Sequence, residues 1–351
     1  MTRVFLRSIF ALAIAMFASS AMAVTTFYVG TCHAGSFATI MDAVNSPKVA
    51  AGSTIKVCPA FYAEQIIINR SLTIEGTTGT VQPNNDNVPN NMAWVTPPQT
   101  ATTVHSALSG ITFQPSIWVQ SGTLTLSGIF LSIHANGQTN CPIAYTGLYF
   151  APGASGTINH IYEANDSGGS CGIGVWAENN TTEFTTVKVE NSWISTDFYG
   201  IVGESQQPNG FAPVLDLAIT GNQMTIKNFG IYLFQTRGAV TGNTISMLGG
   251  GTRGEYGIDD VAPSTSVSRN TIYINSSTGI VTGEANDTVT ANKIFSNVPG
   301  QFPVAIDMGC FTGNVTGNVI TGTSSIVGMP VGYTGKNTYY ASWTLPDSGG
   351  C

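Results

Sequence analysis

The sequence predicts an all-β solenoid, and three observations carry that prediction. Seven short segments repeat one pattern: Thr157-Ile-Asn159-His-Ile, Val189-Glu-Asn191-Ser-Trp-Ile194, Ile219-Thr-Gly-Asn222-Gln-Met, Val240-Thr-Gly-Asn243-Thr-Ile, Val267-Ser-Arg-Asn270-Thr-Ile, Val289-Thr-Ala-Asn292-Lys-Ile and Val315-Thr-Gly-Asn318-Val-Ile. A second motif runs between them: Gly147-Leu148, Gly174-Val175, Gly200-Ile201, Gly230-Ile231, Gly257-Ile258, Gly279-Ile280 and Ala305-Ile306. Successive asparagines stand 21 to 32 residues apart, and the apolar residues between them show no helical period. A unit of that size cannot bury its own core, so it must stack on its neighbours.

The chain opens with a basic stretch, an apolar run and Ala21-Met22-Ala23. That order reads as a signal peptide over 1–23, with export to the periplasm or beyond the cell. The apolar run is short and ends in small residues, and no later segment reaches the length of a membrane span. Residues 24–76 form an entry module. Phe37, Ile40, Met41 and Val44 have helical spacing and predict a short helix over 37–44 that covers the open end of the stack. Strands follow at Thr54–Cys58, Glu64–Ile68 and Leu72–Ile74. Residues 77–104, rich in Asn, Pro and Thr, read as an inserted loop. The coils occupy 105–322, resuming at Ile111–Phe113, Ile117–Val119 and Leu124–Leu126, and 323–351 depart from the repeat as a C-terminal cap.

The entry module carries a family resemblance. Gly52-Ser-Thr-Ile-Lys-Val-Cys-Pro59, Tyr62-Ala-Glu64 and Ser71-Leu-Thr-Ile-Glu-Gly76 resemble the first coil of pectin-lyase-like proteins. The resemblance implies a single-domain, single-stranded right-handed parallel β-helix. It implies little about function, because this fold hosts lyases, hydrolases, esterases, epimerases, tail spikes and adhesins.

Composition narrows the function classes. Only 9% of the 351 residues are charged and the net charge is −7, which argues against nucleic acid. An acidic sugar would need a local basic group or a bound cation. The apolar fraction of 42%, regularly placed, excludes disorder. The six cysteines, in an exported chain, predict disulfides between near neighbours: Cys32–Cys58, Cys141–Cys171 and Cys310–Cys351. No Cys-x-x-Cys or paired His spacing suggests zinc. No cofactor is expected, and a calcium ion has no ligand pattern to support it. The chain is expected to act as a monomer.

Inward valine, isoleucine and leucine predict aliphatic columns, and the repeated asparagine predicts a structural ladder at a turn. The glycines are placed at coil corners, where positive φ is needed. Since strand faces alternate, the residue after each Gly-Ile pair should point outward. That column reads Tyr149, Trp176, Val202, Tyr232, Asp259, Val281, Asp307. Two residues further on it reads Ala151, Glu178, Glu204, Phe234, then Val261 or a slipped Asp260, Gly283 and Gly309. Aromatic faces beside carboxylates suit a sugar polymer. The expected substrate-binding residues are Tyr149, Trp176, Glu178, Glu204, Tyr232 and Phe234. The expected catalytic carboxylates are Asp259, Asp260 and Asp307, with Asp260 raising the pKa of Asp259 by like-charge repulsion.

Asp259-Asp260 is similar to the acidic pair of polygalacturonases. The Gly-His-Gly and Arg-x-Lys of that family are missing, and His33, His105, His134 and His160 all precede the pair. Nothing assigns Arg237, Arg253 or Arg269 the basic role of pectate lyases. The reading is therefore an exported β-helix protein that binds or modifies a polysaccharide along its outer sheet face. If catalytic, it is a polysaccharide lyase or glycoside hydrolase. The alternative is a non-catalytic adhesive or cell-envelope scaffold whose outer face is only a solvated sheet.

Overall fold

The computed structural model describes residues 25–77, 91–133, 141–165, 171–206, 213–248, 255–263, 265–275, 277–283, 287–296, 304–311, 313–322, 325–329, 333, 335–340 and 348–349. The chain winds as a right-handed parallel β-helix with three parallel sheets. Sheet A runs from Thr26–Val29 to Asn314–Thr316, sheet B from Ala60–Tyr62 to Thr338–Tyr340, and sheet C from Ile66–Ile68 to Ser348–Gly349. Among the described residues one antiparallel pairing interrupts this order, Val104–His105 against Thr112–Phe113.

Each sheet contributes inward columns. In sheet A, Ile74, Leu126, Ile158, Val189, Ile219, Val240, Val267, Val289 and Val315 share one register position and are almost fully buried. β-Branched residues dominate because they suit a strand that is buried within a stack. The helix spans Ile40–Asn45 and closes the first coil. Thr39 caps it, and both oxygens of Glu64 accept from the Ile40 and Met41 amides at 2.8 and 2.9 Å.

The asparagine ladder lies at the corner between sheets A and B. Asn222, Asn243, Asn270, Asn292 and Asn318 are buried, and each side-chain amide donates to the next asparagine's Oδ1 at 2.9–3.0 Å, ending on Asn337. The same Oδ1 atoms accept the preceding coil's backbone amide. Asn159 and Asn191 are not rungs of it. Counted from the aliphatic column, the ladder position in their coils is Ile161 and Ser192, and Ser192 substitutes its hydroxyl by accepting from the Ile161 amide. Asn191 stands one residue earlier, at the left-handed corner (φ 48).

Glycine has two roles. Gly221, Gly242 and Gly317 have φ of 67–70 at that same corner. The Gly-Ile glycines do not have positive φ. A Cβ at Gly174, Gly200, Gly230, Gly257 or Gly279 would overlap the carbonyl oxygen of the next coil and an isoleucine of sheet B. Close packing between coils, not dihedral freedom, requires them.

Three boundaries move. The helix expected over 37–44 spans Ile40–Asn45, and Phe37 bridges to Val29 instead. Ala93–Val95 lies in the stretch expected as a loop but pairs with Ala60–Tyr62 and Ile129–Leu131 in sheet B. A three-residue strand among Pro and Asn is too short to announce itself by alternation. Likewise Ser325–Met329, Thr338–Tyr340 and Ser348–Gly349 extend sheets C and B rather than standing apart as a cap. Disulfides join Cys32 to Cys58 and Cys141 to Cys171. Cys310 is disulfide-bonded too, and Cys351 lies outside the described residues. Residues 1–24, including the expected signal peptide, and His134 and Arg253 also lie outside them. No helix among the described residues is long and apolar enough to cross a membrane.

Candidate functional site

The outer face of sheet C places the predicted column in one register. Tyr149, Trp176, Val202, Tyr232, Asp259, Val281 and Asp307 occupy equivalent positions in consecutive coils, and Trp118 extends the column one coil earlier. Glu178, Glu204, Phe234 and Val261 form the second column. Asp260 does not slip into it. It pairs with Leu233 and Thr282, faces inward and is fully buried. Alternation decides this, because Asp259 already occupies the outward position.

The face divides into two halves. Over the first half lies the segment that contains Val104–His105. Gln65 and Gln114 anchor it: Gln65 Nε2 donates to the Thr102 and Pro115 carbonyls, and Gln114 Nε2 to those of Gln99 and Ala101. Val104 and Ile111 pack on Phe113, Tyr149, Trp176 and Val202. Tyr149 and Trp176 are consequently 1% and 2% exposed. Glu178 is buried as well, accepting from the Tyr149 hydroxyl at 2.5 Å and from the Ser106 hydroxyl. These three residues present no surface to a polymer. They form a small second core with a buried polar knot.

The second half is open. Tyr199, Phe229, Tyr232, Phe234, Tyr256, Asp259 and Asp307 are half-buried. Tyr199, Phe229 and Tyr256 share one register position beside the Tyr232 column, with Tyr199 stacked on Phe229 at 4.7 Å between centroids and Phe229 tilted against Tyr256 at 5.4 Å. Sequence reasoning missed this aromatic row. Its signal was present: an aromatic immediately precedes the glycine in Tyr199-Gly200-Ile201, Phe229-Gly230-Ile231 and Tyr256-Gly257-Ile258.

Glu204 sits at the border of the halves, 9% exposed, and its Oε2 has no hydrogen-bond partner. Burial, then the neighbouring Glu178, pushes its carboxyl up to about 7. Burial alone pushes Asp259 up to about 6. The shift has the expected direction but not the expected cause, since Asp260 points away. Burial and the surrounding acids raise the Tyr199 and Tyr232 hydroxyls to about 12, and both rings feel Glu204 and Asp259. Along the sheet, Tyr232 occupies the rung between those of Glu204 and Asp259. Asp259 and Asp307 are two rungs apart, about 9–10 Å between backbones, and Glu204 and Asp259 about 11–12 Å. Asp307 Oδ1 accepts from the Gly309 amide at 3.0 Å.

Two acids lie inside the coils. Glu163 occupies the inner column of sheet B between Leu131 and Ile194, is fully buried, and has its pKa raised well above the ordinary range by burial. Gly147 leaves room for its carboxyl, which a Cβ there would overlap. Asp260 is raised in the same way, by burial and then by Asp287. No group of three metal-ligating side chains occurs among the described residues.

No protein-family model and no curated protein sequence matches the chain. Neither comparison shows the pectin-lyase-like family that the entry coil resembles. Among solved structures, PfbA, a surface adhesin of Streptococcus pneumoniae, is similar at 13% identity over 89% of this chain and 91% of that one, with a TM-score of 0.39. A second structure of PfbA aligns at 12% identity over 83% and 89% of the two chains, with a TM-score of 0.34. Tailspike protein 3 of bacteriophage CBA120 aligns at 14% identity over 92% of this chain and 62% of that one, with a TM-score of 0.30. At these identities and TM-scores the likeness carries no activity over to this chain.

Proposed function

We propose that this is an exported β-helix protein that binds polysaccharide along the open half of sheet C. The single observation that carries the reading is the Tyr199–Phe229–Tyr256 row beside Tyr232, with Glu204 and Asp259 at its edges. Aromatic rings offer flat apolar surface to the C–H face of a pyranose at low entropic cost. The carboxyls accept hydrogens from its hydroxyls. The rows repeat at the strand spacing, so they suit a linear polymer laid along the helix axis.

The same groove has the chemistry for acid–base work. Glu204 near pH 7 holds its proton part of the time, while Asp259 is more often ionised. In this reading Glu204 is the proton donor and Asp259 the base. Phe234 and Asp307 flank the site; Tyr149, Trp176 and Glu178 support it from beneath the covering segment.

Retention on insoluble polysaccharides and product release test the proposal together. Tyr232→Ala is expected to weaken retention about tenfold. Asp259→Asn is expected to keep retention and abolish turnover. Retention without turnover by the wild-type protein would leave a binding protein. Neither retention nor product release across a broad glycan panel would leave a scaffold, and the groove a solvated sheet face.

A further inference from the structure

A second aromatic column runs along the outer face of sheet B, away from the groove. Phe61, Trp94, Phe130, Tyr162 and Trp193 share one register position in five successive coils. Their ring centroids follow at 5.4, 5.2, 4.9 and 4.0 Å. The column stops at Trp193, and the next two coils place Gln223 and Thr244 there. Tyr162 stacks flat against one face of the Trp193 ring, at 9° between planes, which fixes its orientation.

Beside this last ring is a cavity of about 170 Å³, lined by Asn191, Trp193, Gly221, Gln223, Gly242 and Thr244 among others. The left-handed corner explains why it is there. Successive coils place His160, Asn191, Gly221, Gly242, Arg269 and Ala291 at that corner, so two adjacent coils lack a side chain. A Cβ at Gly242 would meet nothing within 4 Å. At Gly242 the missing side chain opens the floor, over Gly221 the Asn191 side chain lies close, and Trp193 forms a wall.

We infer that this cavity is a subsite for one uncharged pyranose residue, packed against Trp193 and hydrogen-bonded by Asn191, Gln223 and Thr244. The wall supplies a flat apolar surface whose orientation is already fixed, so little ordering is needed on binding. Asn191 and Gln223 are exposed and Thr244 is half-buried, so an amide pair and a hydroxyl face the space as both donors and acceptors. No charged residue lines it, which favours a neutral sugar over a uronate. The subsite stands on a different sheet from the proposed groove and does not depend on it.

The test is a titration of the Tyr232→Ala protein, its groove weakened, with cellohexaose, xylohexaose, mannohexaose and hexagalacturonate, read by tryptophan fluorescence and calorimetry. At least one neutral hexasaccharide should bind and change the fluorescence. Gly242→Asn should weaken that binding at least tenfold, because asparagine tolerates the left-handed corner and fills the floor. Gln223→Ala, at an exposed position, should weaken it severalfold, and Trp193→Ala should remove both binding and signal. Circular dichroism checks that each variant folds; were Gly242→Asn to misfold, Gln223→Ala decides. The inference is overturned by no neutral binding in the Tyr232→Ala protein, by preferential binding of hexagalacturonate, or by binding that is unchanged in folded Gly242→Asn or, failing that variant, in Gln223→Ala.

Discussion

The covered and open halves of sheet C begin from the same kind of sequence. Tyr149, Trp176 and Glu178 in one half, and Tyr232, Asp259 and Glu204 in or beside the other, follow the same Gly-Ile motif at the same offsets. Their fates are opposite. The first set is buried under the Val104–His105 segment and makes a core with its own polar knot, Ser106 and Tyr149 donating to Glu178. In the second set Tyr232 and Asp259 stay partly exposed, and Glu204 lies at the border. A residue's column is set by strand alternation, but what it can do is set by what crosses over it. An aromatic with a carboxylate beside it is a sugar platform only where nothing else has already used it.

Replacing Trp176 should separate the halves most clearly. Trp176→Ala removes a fully buried ring and should cost about 3–5 kcal/mol in denaturant unfolding. Were the loss under 1 kcal/mol, Trp176 would be a surface residue and the covered half would not exist.

A smaller effect should come from the knot that fastens the covering segment. Ser106→Ala leaves one oxygen of Glu178 without its donor and should cost about 1–3 kcal/mol. Backbone amides of 104–113 should then exchange faster than those of the coils beneath. Uniform exchange across both regions would show that the segment is not held independently by this bond.

The border residue Glu204 should show itself through pH. Its carboxyl is raised in the fold, to about 7, above the roughly 4.3 of an unfolded chain. The fold therefore binds the extra proton. Its stabilising contribution is complete below about pH 4 and is lost as pH rises through about 7. Glu204→Gln should flatten the fall in stability over that window by on the order of 2 kcal/mol. Glu163 and Asp260 add slope of the same sign, so the measurement is the difference between variant and wild type. Identical pH–stability curves for the two proteins would remove Glu204 from the account.

Least disruptive should be Tyr232→Ala, which truncates a half-buried ring and should cost no more than about 1 kcal/mol while weakening glycan retention. Large destabilisation there would mean that the open half is core as well, and the contrast between the halves would fail.

The sequence-based reading was correct about much of the periodic part and stopped where periodicity stopped. The aliphatic columns, the glycine column, the ladder from Asn222 to Asn318 and the outward register of Tyr149 through Asp307 were legible because stacked coils repeat their environment. Asn159 and Asn191 share the motif's asparagine but sit off the ladder, whose position is set by its distance from the aliphatic column. Ala93–Val95 was too brief to read. Glu163, an acid in an aliphatic column, had no pattern to announce it, because its burial depends on the room left by Gly147 one sheet away. Tyr199, Phe229 and Tyr256 are legible as the aromatic that precedes Gly200, Gly230 and Gly257.

By itself, the sequence determined that this chain winds into stacked coils and which residues face in or out, since repeat length and strand alternation are local properties. It also determined the pairing of Cys32 with Cys58 and of Cys141 with Cys171 closely enough to predict both. Only the tertiary structure decided which part of the outer face is free, that Asp260 turns inward while Asp259 turns out, and that Trp193 ends its column beside an open corner. Those outcomes depend on contacts between residues dozens of positions apart, and one strand carries no information about the segment that will lie across it.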